Sequence, residues 1–344
     1  MPEMSQIKSV RRLGQLGYNI PTFGFGAAHL GELYSRISEQ EARATIEAAW
    51  SGGVRYFDTA PWYGHGLSEH RLGEFLRAKP RDVFTLSTKV GRVYRRPVDP
   101  ANFSATPWSG GLPFEPRFDY SYGGVMRSYE DSLQRLGLNR IDILVIHDLD
   151  REYHHDPVAF DAHWSDLVSS GWRALQELKE AGEIKAIGAG VNAVEMIAPM
   201  AEQLDVDFLL VAMPYTLLGQ SALDQGFEVC DANSISVVIG APFASGLLAT
   251  GAVDDAKYNY SDADSNILAK TRMIAGVCAK HGVALPAAAL QFVLAHPVVT
   301  SVIPGAVSGK QIEENIAHLE AHIPAEFWAD LRAENLIDRR APTP

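Results

Sequence analysis

Four polar residues in this chain, Asp58, Tyr63, Lys89 and His147, have the types needed to move a proton between them. A tyrosine ordinarily titrates near pH ~10, too high for easy proton exchange at neutral pH. A cationic lysine within a few ångströms favours the phenolate. A buried lysine needs a counter-charge, because desolvation would otherwise expel its proton, and Asp58 suits that part. His147 is able to donate or accept a hydrogen bond at the reacting oxygen and orient it. Such a set transfers a proton but has no place for two electrons, which a nicotinamide cofactor would supply. Taken singly, each residue has a plainer reading: Asp58 a loop cap, Tyr63 a surface aromatic contact, Lys89 a solvated strand end, His147 a satisfied core histidine. Their coincidence at strand-end segments is what points to an enzyme.

Those segments are short apolar runs. Asp58 and Tyr63 follow the run 54–57, Lys89 follows 83–88, and His147 follows 141–146. Further strands are predicted over 22–26, 184–189, 208–211, 236–239 and 298–303. Helical spacing is read over 39–51, 68–77, 124–136, 166–181, 266–281 and 309–319, with further helices through Met196 and Val229. Ser38 and Glu41 have capping-box spacing, and Ser68 is read as capping the helix it opens. Strands alternating with helices in this way predict one (β/α)8 TIM barrel over residues 1–344, with an open doubly wound sheet as the other candidate. A parallel barrel builds its active site from strand ends and the loops after them. Two irregular stretches interrupt the alternation, 91–122 and 242–265. The first carries Tyr94, Phe103, Trp108, Phe114, Phe118, Tyr120 and Tyr122, too aromatic for a disordered segment, and reads as a lid or pocket wall.

Composition excludes several classes. The 344 residues are 47% hydrophobic and 21% charged with a net charge of −12, which argues against a nucleic-acid surface. The two cysteines, Cys230 and Cys278, have no metal-type spacing and suggest a reducing compartment. No apolar run reaches the ~18 residues of a membrane span, and the polar start MPEMSQIKSVRR does not resemble a signal peptide, so a cytoplasmic protein is expected. Two decoys stand out. Gly188-Ala-Gly190-Val-Asn-Ala193 fits a dinucleotide fingerprint, but the strand after it ends without the acidic residue such a site wants. His154, His155 and His163 lack carboxylate or cysteine partners at metal-ligand spacing and read as solvated loop histidines.

The segments YFDTAPWYGHGLSEH (56–70), LSTKVG (86–91), DILVIHD (142–148), PYTLLG (214–219), PFASGLL (242–248) and IPGAVSGKQIEEN (303–315) together resemble the aldo-keto reductases, in family order and over nearly the whole chain. The resemblance implies a barrel binding NAD(P) across its C-terminal end without a Rossmann domain. It implies that Asp58, Tyr63, Lys89 and His147 are the catalytic tetrad, with Tyr63 transferring the proton. It places Asn192 at the nicotinamide carboxamide and Tyr215 stacked on the ring. It places the pyrophosphate near Pro242, Phe243, Ser245, Gly246 and Leu247. The rest of the cofactor falls to Gly26, Gly305, Ala306, Val307, Lys310, Gln311, Glu314 and Asn315. The family's usual Ser-Asn pair is Val191-Asn192 here, and the glutamine expected before Tyr215 is Ala212. Gly305, Val307 and Gln311 stand where cations usually grip the 2′-phosphate of NADP, which leaves Lys310 as the one possible substitute and favours NAD.

Within the family, GAAHLGELY and FDYSYGGVMRSYEDSLQRLGLNRIDILVIHD most resemble aldose dehydrogenases acting on L-fucose and D-threo-aldoses, and the pyridoxal 4-dehydrogenases share much of the pattern. Both reactions oxidise a cyclic hemiacetal to a lactone. His29, Trp62, Trp108 and Tyr122 are expected around such a small-molecule substrate. A non-catalytic, cofactor-binding regulatory subunit is the reading from a different class, opposed by the retained tetrad. General aldehyde reduction with NADPH conflicts with the adenosine loop.

Overall fold

In the three strands that carry or precede Asp58, Lys89 and His147 every residue is buried, as strands covered on both faces require. The structure, a computed structural model, describes residues 6–253, 256–259 and 261–344. Eight strands make up the main sheet: β1 Phe25–Gly26, β2 Tyr56–Asp58, β3 Thr85–Val90, β4 Ile143–Ile146, β5 Ala186–Val191, β6 Phe208–Val211, β7 Ser236–Ile239 and β8 Val299–Val302. Each pairs in parallel with its neighbour in chain order. Parallel bridges from Phe23 to Val302 and from Gly26 to Gly305 close the first strand onto the last, giving the (β/α)8 barrel. Strand β1 is shorter than the predicted 22–26. Its seam runs through Pro304, which accepts from the Gly26 N–H but has none to return, so the ladder there stays broken.

Two apolar layers result. Inside the barrel Tyr56, Ile143, Val145, Ala186, Phe208, Leu210, Val238 and Ile303 pack together with Leu13 and Ile20. The latter two belong to the N-terminal hairpin Val10–Arg12/Asn19–Pro21, which plugs the bottom. The larger layer lies between the sheet and the surrounding helices. Helix α1, Glu39–Ser51, has the bounds its period predicts and both halves of the Ser38/Glu41 capping box. Helix α2, Leu67–Leu76, corrects the expectation for Ser68. That residue lies within the first turn, where its hydroxyl donates to the Ala27 carbonyl at 2.7 Å and meets the Thr59 hydroxyl at 2.9 Å. Helix α3, Tyr122–Leu136, starts earlier than predicted because the Ser121 hydroxyl accepts the Gly124 N–H.

The helix predicted over 166–181 is instead Pro157–Asp166 and Trp172–Glu180 with a π turn, Leu167–Gly171, between them. Helices Leu285–Leu294 and Ala325–Ala333 add to those read from periodicity. The first is buried almost throughout, so no polar face reveals its period. Residues 91–122 are also more ordered than expected, since Arg92–Arg95 pairs antiparallel with Glu115–Phe118. Among the described residues no single helix is long and apolar enough to cross a membrane.

The first glycine of the dinucleotide-like decoy has a packing role. Gly188 of β5 sits opposite Phe208 of β6, and a Cβ on it would lie 2.4 Å from that ring. Phe208 is fully buried in the barrel interior and has no room to retreat. Gly188→Ala should therefore cost about 1–3 kcal/mol of stability through overpacking, read as a lowered thermal midpoint. An unchanged midpoint would show that the interior yields.

Candidate active site

The top of the barrel gathers its charges around one lysine. Lys89 lies on β3, and its ammonium donates to Asp58 Oδ2 at 2.7 Å and to the Thr59 carbonyl at 2.8 Å. Asp58 ends β2, and its Oδ1 accepts from the Ser87 hydroxyl at 2.7 Å. Ser87 was missed in the sequence, although it precedes Lys89 by two residues and so points to the same face of β3. Lysine and aspartate are both almost completely buried, and each answers the other's charge. The ammonium stands 4.7 Å from the centroid of the Tyr63 ring, and the His147 ring is 5.9 Å from that ring. The structure thus brings Asp58, Tyr63, Lys89 and His147 together.

The phenol does not follow the simple expectation for a tyrosine beside a lysine. Burial pushes the Tyr63 hydroxyl well above its ordinary range, Asp58 and Asp148 add to that, and Arg92 opposes it. The physical reason is that the charge on Lys89 is already met by Asp58 at contact distance.

His147 follows β4 directly and belongs to a second set of charges that the sequence did not reveal. Its Nδ1 lies 3.0 Å from the guanidinium of Arg92, which also pairs with Asp148 at 2.8 Å. Asn192 donates its amide hydrogens to Asp148 at 3.1 Å and Asp150 at 2.9 Å. Burial works against the charge on Arg92, but the facing Asp148 carboxylate together with Tyr120 and Tyr94 outweighs it and holds the guanidinium above its usual range. Burial, then Arg92 and Lys89, drive His147 well below the usual histidine range, so it is neutral.

These groups open onto a cavity of ≈ 310 Å³ whose lining includes all four tetrad residues. Of the residues expected around a substrate, His29 and Trp62 line it. Trp108 stands behind the wall, 5.2 Å from the Trp62 ring and 5.6 Å from Tyr63. Tyr122 is a correction: it lies away from the cavity at the start of α3, where its hydroxyl donates to Glu177 at 2.6 Å and Arg173 covers its ring. Leu33, Tyr34, Tyr153 and Met213 line the cavity instead.

Among the residues expected at a cofactor, Gly26, Asn192, Pro242, Phe243, Ser245, Gly246, Gly305, Ala306, Val307 and Gln311 line the same cavity. Tyr215 does not. It is fully buried against Phe227, Phe292 and His296, because the chain turns outward after β6 and sends this ring into the helical layer. Leu247 is buried, Lys310 is exposed and pairs with Glu314 at 3.5 Å, and the Asn315 amide reaches the Gly305 carbonyl at 3.5 Å. Two features suit a dinucleotide. Ala244, Ser245 and Gly246 have successive left-handed backbones (φ 47°, 59° and 102°), a conformation that turns amides into a concave cradle. His29 Nδ1 is buried without a hydrogen-bond partner beside Gly305.

A closed parallel barrel whose strand ends hold a buried lysine–aspartate pair against a tyrosine and a histidine defines an oxidoreductase architecture. Residues 22–335 match the Aldo/keto reductase family, and the chain belongs to that family, whose members use nicotinamide cofactors. It is 42% identical to a pyridoxal 4-dehydrogenase from Microbacterium luteolum and 39% identical to a D-threo-aldose 1-dehydrogenase from a Pseudomonas species. Both alignments cover 95% of this chain and 97% of the relative. Among solved structures the fold resembles an aldo-keto reductase from Bacillus halodurans in its holo form, with a TM-score of 0.73 at 24% identity and 96% of each chain covered.

The histidines set aside as solvated divide differently in space. His155 is exposed, but His154 is buried against Phe118 and His163, with its Nε2 3.3 Å from the Tyr120 hydroxyl. Burial, His163 and Arg92 lower its pKa to about 4. An unfolded chain, titrating near pH ~6.5, therefore binds this proton first. The stability tied to neutral His154 is whole above that pH and is lost as pH falls towards about 4. Denaturant titrations across this window should show stability declining with acid, and more shallowly in His154→Gln; equal slopes in the two proteins would contradict the assignment.

Proposed function

We propose that the protein oxidises a cyclic hemiacetal, of an L-fucose or D-threo-aldose type sugar, to its lactone with NAD as the acceptor. The observation that carries this reading is Tyr63 lying against the Lys89–Asp58 pair in the cavity that also holds His147. Tyr63 takes the proton of the hemiacetal hydroxyl, and His147 grips the same oxygen and fixes its direction. The carbon loses a hydride as its C=O bond forms. Lys89 and Asp58 hold the phenol in place and limit the charge change around it. An oxidised nicotinamide bound in the cavity supplies the hydride acceptor and a positive charge. Holding the reacting groups in line supplies much of the acceleration.

Asn192 would hold the carboxamide. The missing serine and glutamine are Val191 and Ala212, both at the cavity wall. Asp148 and Asp150 take over their orienting work by fixing the Asn192 amide hydrogens, which leaves its carbonyl oxygen to accept from the cofactor. The cradle at Pro242–Gly246 suits the pyrophosphate, and Gly305, Ala306, Val307 and Gln311 suit the adenosine. Gln311 is already occupied with the Val307 N–H at 2.9 Å, and the exposed Lys310 is paired with Glu314. Among the described residues of the adenosine loop no cation is thus committed to a 2′-phosphate, which supports NAD over NADP.

One observation favours pyridoxal as a second reading. None of the cavity-lining residues comes from 91–122, so the hydrogen-bonding groups that a sugar would draw from that loop are missing. Leu33, Tyr34, Trp62, Tyr153 and Met213 give a wall that also suits a pyridine ring.

L-fucose, D-arabinose and pyridoxal, each assayed with NAD and NADP by NADH or NADPH absorbance, distinguish these readings. Sugar turnover with kcat/KM favouring NAD by about tenfold or more is expected. Turnover of pyridoxal alone selects the second reading. Tight NAD binding without turnover of any hemiacetal or aldehyde would make the protein a cofactor-binding regulator. Tyr63→Phe should lower kcat by about 10²–10⁴-fold with NAD affinity nearly intact; ordinary turnover would remove Tyr63 from the mechanism. Since the Tyr63 pKa is raised and oxidation needs the phenolate, the oxidation rate should climb as pH rises above neutrality. A rate falling over that range would contradict the role.

A further inference from the structure

After β3 the backbone turns back at Gly91, whose φ is +108° and where a Cβ would lie 2.3 Å from the Tyr120 ring. The turn carries Arg92 beneath the site. Its guanidinium is buried among three rings, 4.7 Å from the centroid of Trp62, 4.5 Å from Phe118 and 5.6 Å from Tyr153. Asp148 pairs with it at 2.8 Å. Asp148 itself adopts the left-handed backbone (φ 51°), which brings its carboxylate back beside the imidazole, 3.3 Å from Nε2.

Arginine has donors only and keeps its charge in proteins. The His147 Nδ1 atom, 3.0 Å from Arg92, is therefore an acceptor. A neutral imidazole carries one N–H, so the proton resides on Nε2. We propose that Arg92 is the positioning residue that locks His147 into the Nε2–H tautomer, making His147 a hydrogen-bond donor to a lone pair of the substrate hydroxyl while Tyr63 takes that hydroxyl's proton. This rests on the hemiacetal chemistry proposed above. With the opposite tautomer Nε2 would accept from the hydroxyl and compete with Tyr63 for the same hydrogen.

The groups around the imidazole agree with this assignment. Arg92 faces it from the hairpin strand, Lys89 from β3 and Asp148 from the adjoining residue, while Tyr63 and Trp62 turn their rings to it from the loop after β2. Tyr120 donates to its backbone carbonyl at 2.7 Å, with His154 beyond, and Asp150 and Asn192 stand behind Asp148. Burial, and then the two cations, resist an imidazolium, so the ring stays neutral as well as oriented.

Nitrogen-15 NMR of the full-length protein labelled at histidine, with His147→Gln to assign the signal, reads the tautomer directly. The wild type should show neutral Nε2–H His147 at neutral pH and below the usual histidine range. In Arg92→Met the signal should become a tautomer mixture, and kcat should fall about 10²-fold, more than KM or NAD affinity changes. With one of the two cations gone, the imidazole should protonate more readily and the acidic limb of the pH profile should move upwards, and Arg92→Lys, which restores a donor, should recover part of the loss. A wild-type signal showing Nδ1–H or a mixture would overturn the proposal even if Arg92→Met failed to fold. So would wild-type kcat and pH profile in Arg92→Met while Tyr63→Phe is inactive, which leaves the hemiacetal reading standing. An active Tyr63→Phe sinks that reading instead.

Discussion

A lysine ammonium almost wholly removed from water is the constraint around which the upper barrel is built. Burying one unpaired ion costs several kcal/mol, so Lys89 is tolerable only with a carboxylate in contact and its other hydrogens occupied. Asp58 and the Thr59 carbonyl take two of its three hydrogens, the Tyr63 ring lies 4.7 Å from the ammonium, and Ser87 satisfies the remaining oxygen of Asp58. These groups converge because β2 and β3 are paired in the register that sets Asp58 opposite Ser87. A one-residue slip would turn Lys89 out to the helical layer, so the parallel ladder and the ion pair specify each other. Beneath them Tyr56, Phe208 and Ile303 fill the barrel, which leaves the charges no route towards the bottom of the fold.

The second buried cation obeys the same rule with different means. Arg92 has one carboxylate, Asp148, and a collar of aromatic faces that accept a weakly hydrated guanidinium better than they would an ammonium. The left-handed backbone of Asp148 costs about 1–3 kcal/mol for a residue other than glycine. Arg92 and Asn192 hold its carboxylate from two sides and so offset that cost. Strain here is what lets one carboxylate reach both the imidazole side and the Asn192 side of the site.

The barrel was legible because its signals are periodic. Helix α1 appears with its predicted bounds because Ser38, Glu41 and the stripe from Ala42 to Ala49 all agree. Strand ends moved by a few residues where closure, Pro304 or a burial change set them, and none of these leaves a mark in a single run of side chains. Helix Leu285–Leu294 escaped because every residue in it but Gln291 is apolar. The convergence of Asp58, Tyr63, Lys89 and His147 was legible from type and place, but Arg92 sits in a stretch without period. Its only trace was a cation directly after a glycine, among several others, in a stretch whose aromatic residues were read as a wall. Tyr215 was placed by resemblance, and the turn after β6 that buries it has no sequence signature of its own.

That loop's true position changes how the site's electrostatics are understood. Residues 91–122 act less as a wall over the substrate than as a floor, carrying Arg92 and Tyr120 under His147. With both cations answered by carboxylates, Tyr63 faces two nearly neutral pairs rather than an open positive field. Burial then dominates, and the phenol keeps its hydrogen. A lysine neighbour alone does not make this tyrosine a base. Turning it into a phenolate would take positive charge beyond what Lys89 and Arg92 already share with their partners.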